Sequence, residues 1–313
     1  MGTGLLAGSP VDNDGPFFDM PVTACARFFS SSVCECLTFQ VWILVGKKKR
    51  KSAVPLLGSH QKCWIWGRHA VMETLRAGQW RPWEVNADPD LLDEELLFEL
   101  HSLAGQFQIP VAEITSSEIA RLCGAREHQG LVAKMPPYPY AESAAVLREL
   151  HGQSAVLVLA GIQDPFNFGS ILRSADLFGL DAVFVPSAGQ ATVSSHVARS
   201  SVGAVNYLDI VESDDLISLC GSLQQSGLQL IAATEKGDAR PDQVDLSRGT
   251  ALVIGNEATG IPPEILSLCC RQICIPISGH VNSLNAAVAA GILCYELRRQ
   301  RSEQKSGDRQ PNG

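Results

Sequence analysis

The sequence contains no hydrophobic run of the roughly 20 residues that a membrane-spanning helix requires. No Gly-x-Gly-x-x-Gly element precedes a predicted helix, and no Gly-x-x-x-x-Gly-Lys element occurs, which argues against dinucleotide-binding enzymes and P-loop nucleotidases. Positive charge is scarce, since the formal net charge of the 313 residues is −8. We therefore expect a cytoplasmic protein that does not coat nucleic acid by bulk electrostatics and would need a local basic patch to bind RNA.

The ten cysteines do not follow a metal-binding or disulfide spacing. Cys34 and Cys36 are one residue apart, and no His or Cys pair follows at the distance of a zinc ligand set. Other cysteines lie in apolar surroundings, where a thiol is usually a small core residue of a reduced protein; these are Cys220, Cys269, Cys270, Cys274 and Cys294. We expect no metal site.

The pattern of apolar residues predicts an α/β protein with two domains. Residues 1–60 show no periodicity and are expected to form a disordered extension, although the basic cluster at 47–51 is also compatible with a nuclear address or an RNA-contacting tail. Residues 61–135 alternate short strands and helices, with helices predicted at 69–78, 91–107 and 116–123 and strands at 83–87, 110–114 and 131–134.

Three prolines among residues 136–139 predict a stiff linker at 136–150. The second domain is expected at 151–303, followed by a disordered tail at 304–313. Its apolar runs, separated by helices, indicate a parallel sheet covered on both faces; strands are predicted at 155–162, 182–186, 207–211, 229–233, 251–254 and 272–276.

Three segments of the second domain carry polar residues where a strand or turn gives way to a loop or a helix. The first reads Asp-Pro-Phe-Asn-Phe-Gly-Ser-Ile-Leu-Arg at 164–173, and the second reads Gly-Asn-Glu-Ala-Thr-Gly at 255–260. The third, at 282–291, joins Asn-Ser-Leu-Asn to a helix made mostly of alanine. Parallel sheets bind their ligands at the carboxyl ends of strands, so these segments are expected to share one site.

Together, the three segments resemble the motifs of the SpoU (TrmH) family of SPOUT-class RNA ribose 2′-O-methyltransferases. The resemblance covers about residues 64–300 and is greatest to members that methylate a guanosine of 23S ribosomal RNA. It implies a deeply knotted catalytic domain, with a trefoil knot in about 252–297, preceded by an RNA-binding domain similar to ribosomal protein L30e. It also implies S-adenosylmethionine as cofactor and a homodimer, to which the small residues of the last helix are suited.

The resemblance assigns roles to individual residues. The catalytic group is Arg173 with Asn167, Glu257, Ser283 and Asn285, and the cofactor-binding group is Thr234, Gly237, Gly255, Ile275 and Leu284. RNA contacts are expected at Arg68 and Arg199. Because a guanidinium with a pKa above about 12 is a poor base, we expect Arg173 to stabilise the developing alkoxide rather than to remove the hydroxyl proton, and a dimer would allow it to serve the neighbouring subunit.

Two other functions remain open at this point. One is a tRNA ribose methyltransferase of the same family, which the amino-terminal domain disfavours. The other is a non-catalytic RNA-binding factor for ribosome assembly, which the complete set of five catalytic candidates disfavours.

Overall fold

The computed structural model describes residues 63–280 and 283–307, and the predictions made for residues 1–60 lie outside the described residues. The amino-terminal part contains a four-stranded sheet with the strand order β1-β4-β2-β3, in which only the β2–β3 pair is parallel. Its strands are β1 (Trp64–Trp66), β2 (Glu84–Ala87), β3 (Val111–Glu113) and β4 (Leu131–Lys134), and its helices are α1 (Arg68–Ala77), α2 (Glu94–Gln106) and α3 (Ser116–Cys123).

The ends of these helices follow from identifiable residues. Gly78 ends α1 in the left-handed conformation, with φ of 66°, which glycine adopts at little cost. Thr115 and Glu118 form a capping box at the start of α3. The imidazole of His128 is buried and holds the turn before β4, because its Nδ1 accepts a hydrogen bond of 3.1 Å from Gly130 N.

The segment predicted to be a linker is packed against its neighbours. Its residues Ser143–Glu149 form helix α4, whose Val146 is buried. Tyr138 makes an edge contact with the Trp80 ring at 5.1 Å and donates a hydrogen bond of 2.9 Å from its hydroxyl to Val205 O. The proline-rich stretch therefore joins the two sheets through a fixed contact rather than as a free spacer.

The second part contains a six-stranded, wholly parallel sheet with the order β10-β8-β9-β5-β6-β7. The strands are β5 (Ala155–Ala160), β6 (Ala182–Pro186), β7 (Asp209–Ser213), β8 (Gln229–Ala233), β9 (Thr250–Gly255) and β10 (Arg271–Ile273). The helices are α5 (Pro165–Leu177), α6 (Ser195–Ser200), α7 (Leu216–Gln225), α8 (Pro263–Leu268) and α9 (Ala286–Gly307). The predicted parallel α/β sheet is confirmed, and α9 continues past residue 303 into the segment expected to be a tail.

The core of this part lies on both faces of the sheet, because alternate residues of the central strands are buried on opposite sides. Leu157 and Leu159 of β5 pack with Phe168 of α5, whereas Val156 and Val158 join a second cluster with residues of α7 and α8. Among the described helices, none is long and apolar enough to cross a membrane.

The two parts contact each other through polar side chains. The Tyr207 hydroxyl donates to Glu73 Oε2 at 2.7 Å, and Asn206 Nδ2 donates to Thr74 Oγ1 at 3.2 Å. Gly203 lies so close to α1 that a Cβ there would be 2.6 Å from Glu73 Cβ. These contacts fix the amino-terminal sheet against the segment between α6 and β7.

Candidate active site

The parallel register places the carboxyl ends of four neighbouring strands together. Ala160 of β5 is opposite Gly255 of β9, while Ala233 of β8 is opposite both Ile254 of β9 and Ile273 of β10. The loops that follow these strands therefore emerge side by side, at the edge where open parallel sheets bind ligands.

Three of the predicted catalytic side chains form one hydrogen-bonded chain at this edge. Asn167 Nδ2 donates to Glu257 Oε1 at 3.0 Å, and Asn285 Nδ2 donates to Asn167 Oδ1 at 3.0 Å. The residues come from α5, the loop after β9 and the start of α9, which are distant in the sequence. The structure thus brings together the three segments that the sequence singled out.

Asn285 also begins α9. Its Oδ1 accepts hydrogen bonds from Ala287 N at 2.9 Å and Val288 N at 3.3 Å, which satisfies amides that lack partners in the first turn of a helix. Because the oxygen of the amide faces the helix, its NH₂ group faces Asn167. The helix start therefore determines which hydrogen-bonding group Asn285 presents to the site.

The loop after β9 is held by Asn256, a residue that the sequence analysis did not single out. Its Oδ1 accepts from Ala258 N at 2.8 Å and Thr259 N at 3.1 Å, and its Nδ2 donates to Gly161 O. A polar residue directly after a buried strand was the only signal for this role. Gly255 is required next to it because a Cβ would lie 2.6 Å from the carbonyl carbon of Gly260.

The loops after β8 and β10 also lie against each other, and they contain the remaining cofactor candidates. Thr234 N donates to Ile273 O at 3.0 Å, and a Cβ on Gly237 would be 2.4 Å from the carbonyl carbon of Ile273. Ile275 is half-buried, and Leu284 is 38% exposed. Apolar side chains that stay accessible beside crowded main chain suit the enclosure of a flat heteroaromatic ring such as adenine.

Arg173 lies elsewhere on α5, on its solvent-exposed face, and makes no hydrogen bond or ion pair with any residue that the structure describes. The Glu257 carboxylate accepts a hydrogen bond from Asn167 and makes none with Arg173 among the described residues. Ser283 is exposed and makes no hydrogen bond within the described ranges, so the structure does not bring it to the three-residue chain.

The two candidate RNA-contacting arginines have defined surroundings. The Arg68 guanidinium donates to Gln129 O at 3.3 Å and to Leu91 O, so main-chain carbonyls orient it at the surface. The Arg199 guanidinium packs over the Trp66 ring at 4.5 Å from its centroid. Burial lowers the pKa of Arg199, yet an arginine stays charged at neutral pH because its ordinary pKa is above about 12.

Two side chains near the site were missed by the sequence analysis. Phe166, directly before Asn167, is 59% exposed, and its ring lies 5.8 Å from that of His196 on α6. His196 lies three positions before Arg199 on α6, and contacts of this kind between distant segments leave no spacing pattern in the sequence. Within residues 63–280 and 283–307, no group of three or more His, Cys, Asp or Glu side chains could hold a metal ion.

A parallel α/β domain with polar loops converging at its strand ends defines a ligand-binding enzyme fold, and comparison with known proteins identifies its kind. Residues 154–295 match the SpoU rRNA methylase family, and residues 64–141 match the RNA 2′-O ribose methyltransferase substrate-binding family. A TrmH family tRNA/rRNA methyltransferase of Staphylococcus aureus is 36% identical over 245 residues, covering 76% of this chain and 96% of that protein.

Solved structures show the same fold. A TrmH family RNA methyltransferase of Porphyromonas gingivalis has a TM-score of 0.63 at 27% identity, covering 77% of this chain and 90% of that chain. The SpoU methyltransferase AviRb of Streptomyces viridochromogenes, in complex with the cofactor AdoMet, has a TM-score of 0.65 at 24% identity with the same coverage of 77% and 90%. At that identity, the second similarity concerns the fold alone.

The chain therefore belongs to the SpoU (TrmH) family of RNA methyltransferases. Family membership confirms the enzyme class, RNA 2′-O-ribose methyltransferase, and the methyl donor, S-adenosylmethionine.

Proposed function

We propose that this enzyme methylates the ribose 2′-hydroxyl of a guanosine in 23S ribosomal RNA, in the cytoplasm. The observation that carries the proposal is the hydrogen-bonded chain Glu257–Asn167–Asn285, which joins three loops at the strand ends of a family-typical domain. A chain that had lost catalysis would have no need to keep these three residues in contact. The geometry thus favours an enzyme over a non-catalytic assembly factor.

The cofactor residues proposed are Thr234, Gly237, Gly255, Ile275 and Leu284. Their loops surround the ends of β8, β9 and β10, and the apolar side chains among them are partly accessible. S-adenosylmethionine bound there would supply an electrophilic methyl group to the ribose oxygen. The proposal includes the trefoil knot in about 252–297.

The role of Arg173 is to stabilise the negative charge that develops on the ribose oxygen. A guanidinium remains protonated at neutral pH and offers several donors, so it lowers the energy of an alkoxide without taking its proton. We assign Asn167, Glu257, Asn285 and Ser283 to positioning of the ribose. Because Arg173 has no partner among the described residues, its charge is available to substrate or to a second subunit.

A homodimer is part of the proposal. Leu177 is 67% exposed at the end of α5, and three apolar side chains on one face of α9 are also exposed, namely Val288 at 51%, Ile292 at 39% and Tyr295 at 56%. A contiguous apolar surface of this kind is typical of a subunit contact. Because α9 packs against α5, which carries Arg173, we propose that pairing through the exposed face of α9 brings Arg173 near the partner's site.

The preference for ribosomal RNA rests on the amino-terminal domain. Residues 64–141 match the substrate-binding family, and we propose that this domain is similar to ribosomal protein L30e and contacts RNA through Arg68. Arg199 of α6, which packs over Trp66 of this domain, is proposed as a second RNA contact beside it. The alternative, a tRNA substrate, is kept because the Staphylococcus aureus relative is described as a tRNA/rRNA methyltransferase.

The test is methyl transfer from labelled S-adenosylmethionine to unmodified transcripts of 23S ribosomal RNA and of tRNA, followed by nucleoside analysis. We expect 2′-O-methylguanosine in the ribosomal RNA only. Arg173→Ala is expected to lower kcat by about a hundredfold or more while cofactor binding, measured by calorimetry, is unchanged. Methylated nucleoside in tRNA alone would show that the enzyme is a tRNA ribose methyltransferase. Full activity of Arg173→Ala would show that Arg173 has no role in catalysis.

A further inference from the structure

Phe166 is exposed on the same face of α5 as Arg173. The two residues are seven positions apart, which in an α-helix is close to two turns, or about 10 Å along the axis, with nearly the same direction around it. Phe168, two residues later, is fully buried and already supplies the aromatic ring that α5 contributes to the core. The Phe166 ring, which is 59% exposed, is therefore not part of the core beneath α5.

The ring is nevertheless held in place from behind. Helices α5 and α6 approach so closely at Gly169 that a Cβ there would be 1.9 Å from Ser200 Oγ and 2.7 Å from Val197 O. That approach brings Phe166 to a centroid distance of 5.8 Å from His196, within the range of favourable aromatic pairs. One side of the Phe166 ring thus faces a fixed neighbour while much of its surface faces solvent.

His196 is itself supported by the amino-terminal domain. Its ring meets that of Trp66 edge-on at 5.9 Å, and Trp66 is only 3% exposed. Burial and, secondarily, the charge of Arg199 lower the pKa of His196, which favours the uncharged imidazole. We call the rings of Phe166, His196 and Trp66 the aromatic row, with Arg199 covering its inner end at Trp66.

A rigid, partly exposed aromatic ring beside a site for RNA is suited to stacking. Proteins that act on unpaired RNA hold splayed bases against aromatic side chains, and arginine planes extend such surfaces. Every base has a flat face, so a contact of this kind positions a nucleotide without hydrogen bonds. The aromatic row leads from the start of α5, next to Asn167, toward the domain expected to bind RNA.

The geometry points to Phe166, backed by His196, as the platform on which an unpaired nucleobase beside the methylated ribose stacks. The inference rests on the proposed RNA ribose methylation and adds a contact that positions the substrate. It assigns no chemical step to Phe166, whose removal should weaken RNA binding and leave cofactor binding intact.

Three substitutions separate stacking from simple hydrophobic contact. Phe166→Leu keeps an apolar side chain without a ring, Phe166→Tyr keeps the ring, and Phe98→Leu is the matched control, since Phe98 lies on α2 and is 77% exposed. In methyl transfer to the 23S transcript, we expect Phe166→Leu to raise KM for RNA about tenfold. The Tyr variant and the control should stay within about twofold of the unmodified enzyme, with unchanged affinity for S-adenosylmethionine.

A second measurement needs no turnover. The affinity for a fluorescein-labelled single-stranded polyadenosine of about twelve nucleotides should fall about tenfold in Phe166→Leu and not in Phe166→Tyr. Equal RNA affinity of the unmodified enzyme, Phe166→Leu and Phe166→Tyr would overturn the inference. The same holds if Phe166→Tyr loses as much RNA affinity as Phe166→Leu, or if light scattering shows that Phe166→Leu no longer forms a dimer. If the unmodified enzyme methylates neither RNA, the proposed function fails, and the binding comparison still decides whether Phe166 stacks on bases.

Discussion

The side-chain amide of Asn285 accepts hydrogen bonds from the start of α9 and donates one to Asn167, and two substitutions separate these roles. Asn285→Asp keeps the oxygen that caps α9 and loses the NH₂ that donates to Asn167, whereas Asn285→Ala loses both. We expect the Asp variant to retain the free energy of unfolding and the Ala variant to lose about 1 kcal/mol, while both lose most methyl transfer. Urea unfolding and initial rates measure the two effects separately.

An active Asp variant would show that the Asn285–Asn167 hydrogen bond is dispensable, leaving only the helix cap. Ser283→Ala is a useful comparison, because Ser283 is exposed and makes no hydrogen bond within the described ranges. If Ser283 binds substrate as proposed, its replacement should lower the rate without changing stability.

Among single residues, the sequence predicted which side chains meet but not all of their partners. Asn167, Glu257 and Asn285 converge as expected, because each follows a strand or begins a helix at one edge of a parallel sheet. Arg173 lies apart from them, because it is six positions after Asn167 on α5 and therefore on a different face of that helix. Whether that face meets substrate or a second subunit depends on tertiary contacts, which no local pattern encodes.

The packing of α5 against α6 depends on Gly169. A methyl group there would meet Ser200 Oγ, which can rotate, and the main-chain carbonyl of Val197 at 2.7 Å, which cannot. Gly169→Ala should therefore lower the free energy of unfolding by about 2 kcal/mol, despite the better helix propensity of alanine. Thermal and urea unfolding measure the change.

The matched control for this element is Gly221→Ala in α7, where a Cβ would meet nothing within 4 Å. It should gain about 0.5–1 kcal/mol, the ordinary benefit of replacing glycine in a helix. Equal effects of the two substitutions would show that α5 and α6 can move apart without cost.

Among the strands, those whose limits were predicted correctly are the ones where the apolar run stops sharply at both ends. β4, β6 and β8 have the expected limits, but β7 is shifted toward its carboxyl end. β7 is an edge strand of the sheet and can include the exposed Glu212. A prediction based on a run of apolar residues therefore ended the strand too early. β1 and α4 were missed because three and seven residues are too short to establish a period.

Across the whole molecule, the contact between the two parts should depend on pH through Glu73. Burial alone would raise the pKa of this carboxyl, but hydrogen bonds from Tyr207 and Arg76 and the charge of Arg76 outweigh it, so the pKa is lowered. A lowered pKa in the folded state stabilises the protein above the pKa of the unfolded state, about 4.3, and this stabilisation is lost as pH falls through the folded-state value.

Tyr207→Phe removes one of these hydrogen bonds and should cost about 1 kcal/mol at pH 7, a modest value because Tyr207 is 50% exposed. The difference from the unmodified protein should shrink as pH falls through the folded-state pKa of Glu73, because the carboxyl is then protonated in both proteins. Tyr295→Phe is the control, since Tyr295 is exposed and makes no hydrogen bond within the described ranges. A difference that stays constant with pH would remove Glu73 from the explanation.

Two subunits of a dimer are expected to share each site. Arg173 faces solvent on the side of α5 that ends in the exposed Leu177, while Glu257, Asn167 and Asn285 lie around another face. If the apolar surface of α9 pairs two copies, each Arg173 is expected to act in the site of its partner. Mixing an Arg173→Ala protein with a Glu257→Ala protein, each inactive alone, should then restore activity.

Random exchange of subunits at equal concentrations makes about half of the dimers mixed, each with one complete site, so about a quarter of the full activity should return. Exchange must first be shown by light scattering and by mass-tagged subunits. Ile292→Glu supplies the control, because a charge in the apolar surface should yield monomers and prevent recovery. Mixed dimers that remain inactive would place Arg173 in the site of its own subunit, which would require α5 to move toward the loop after β9 when RNA binds.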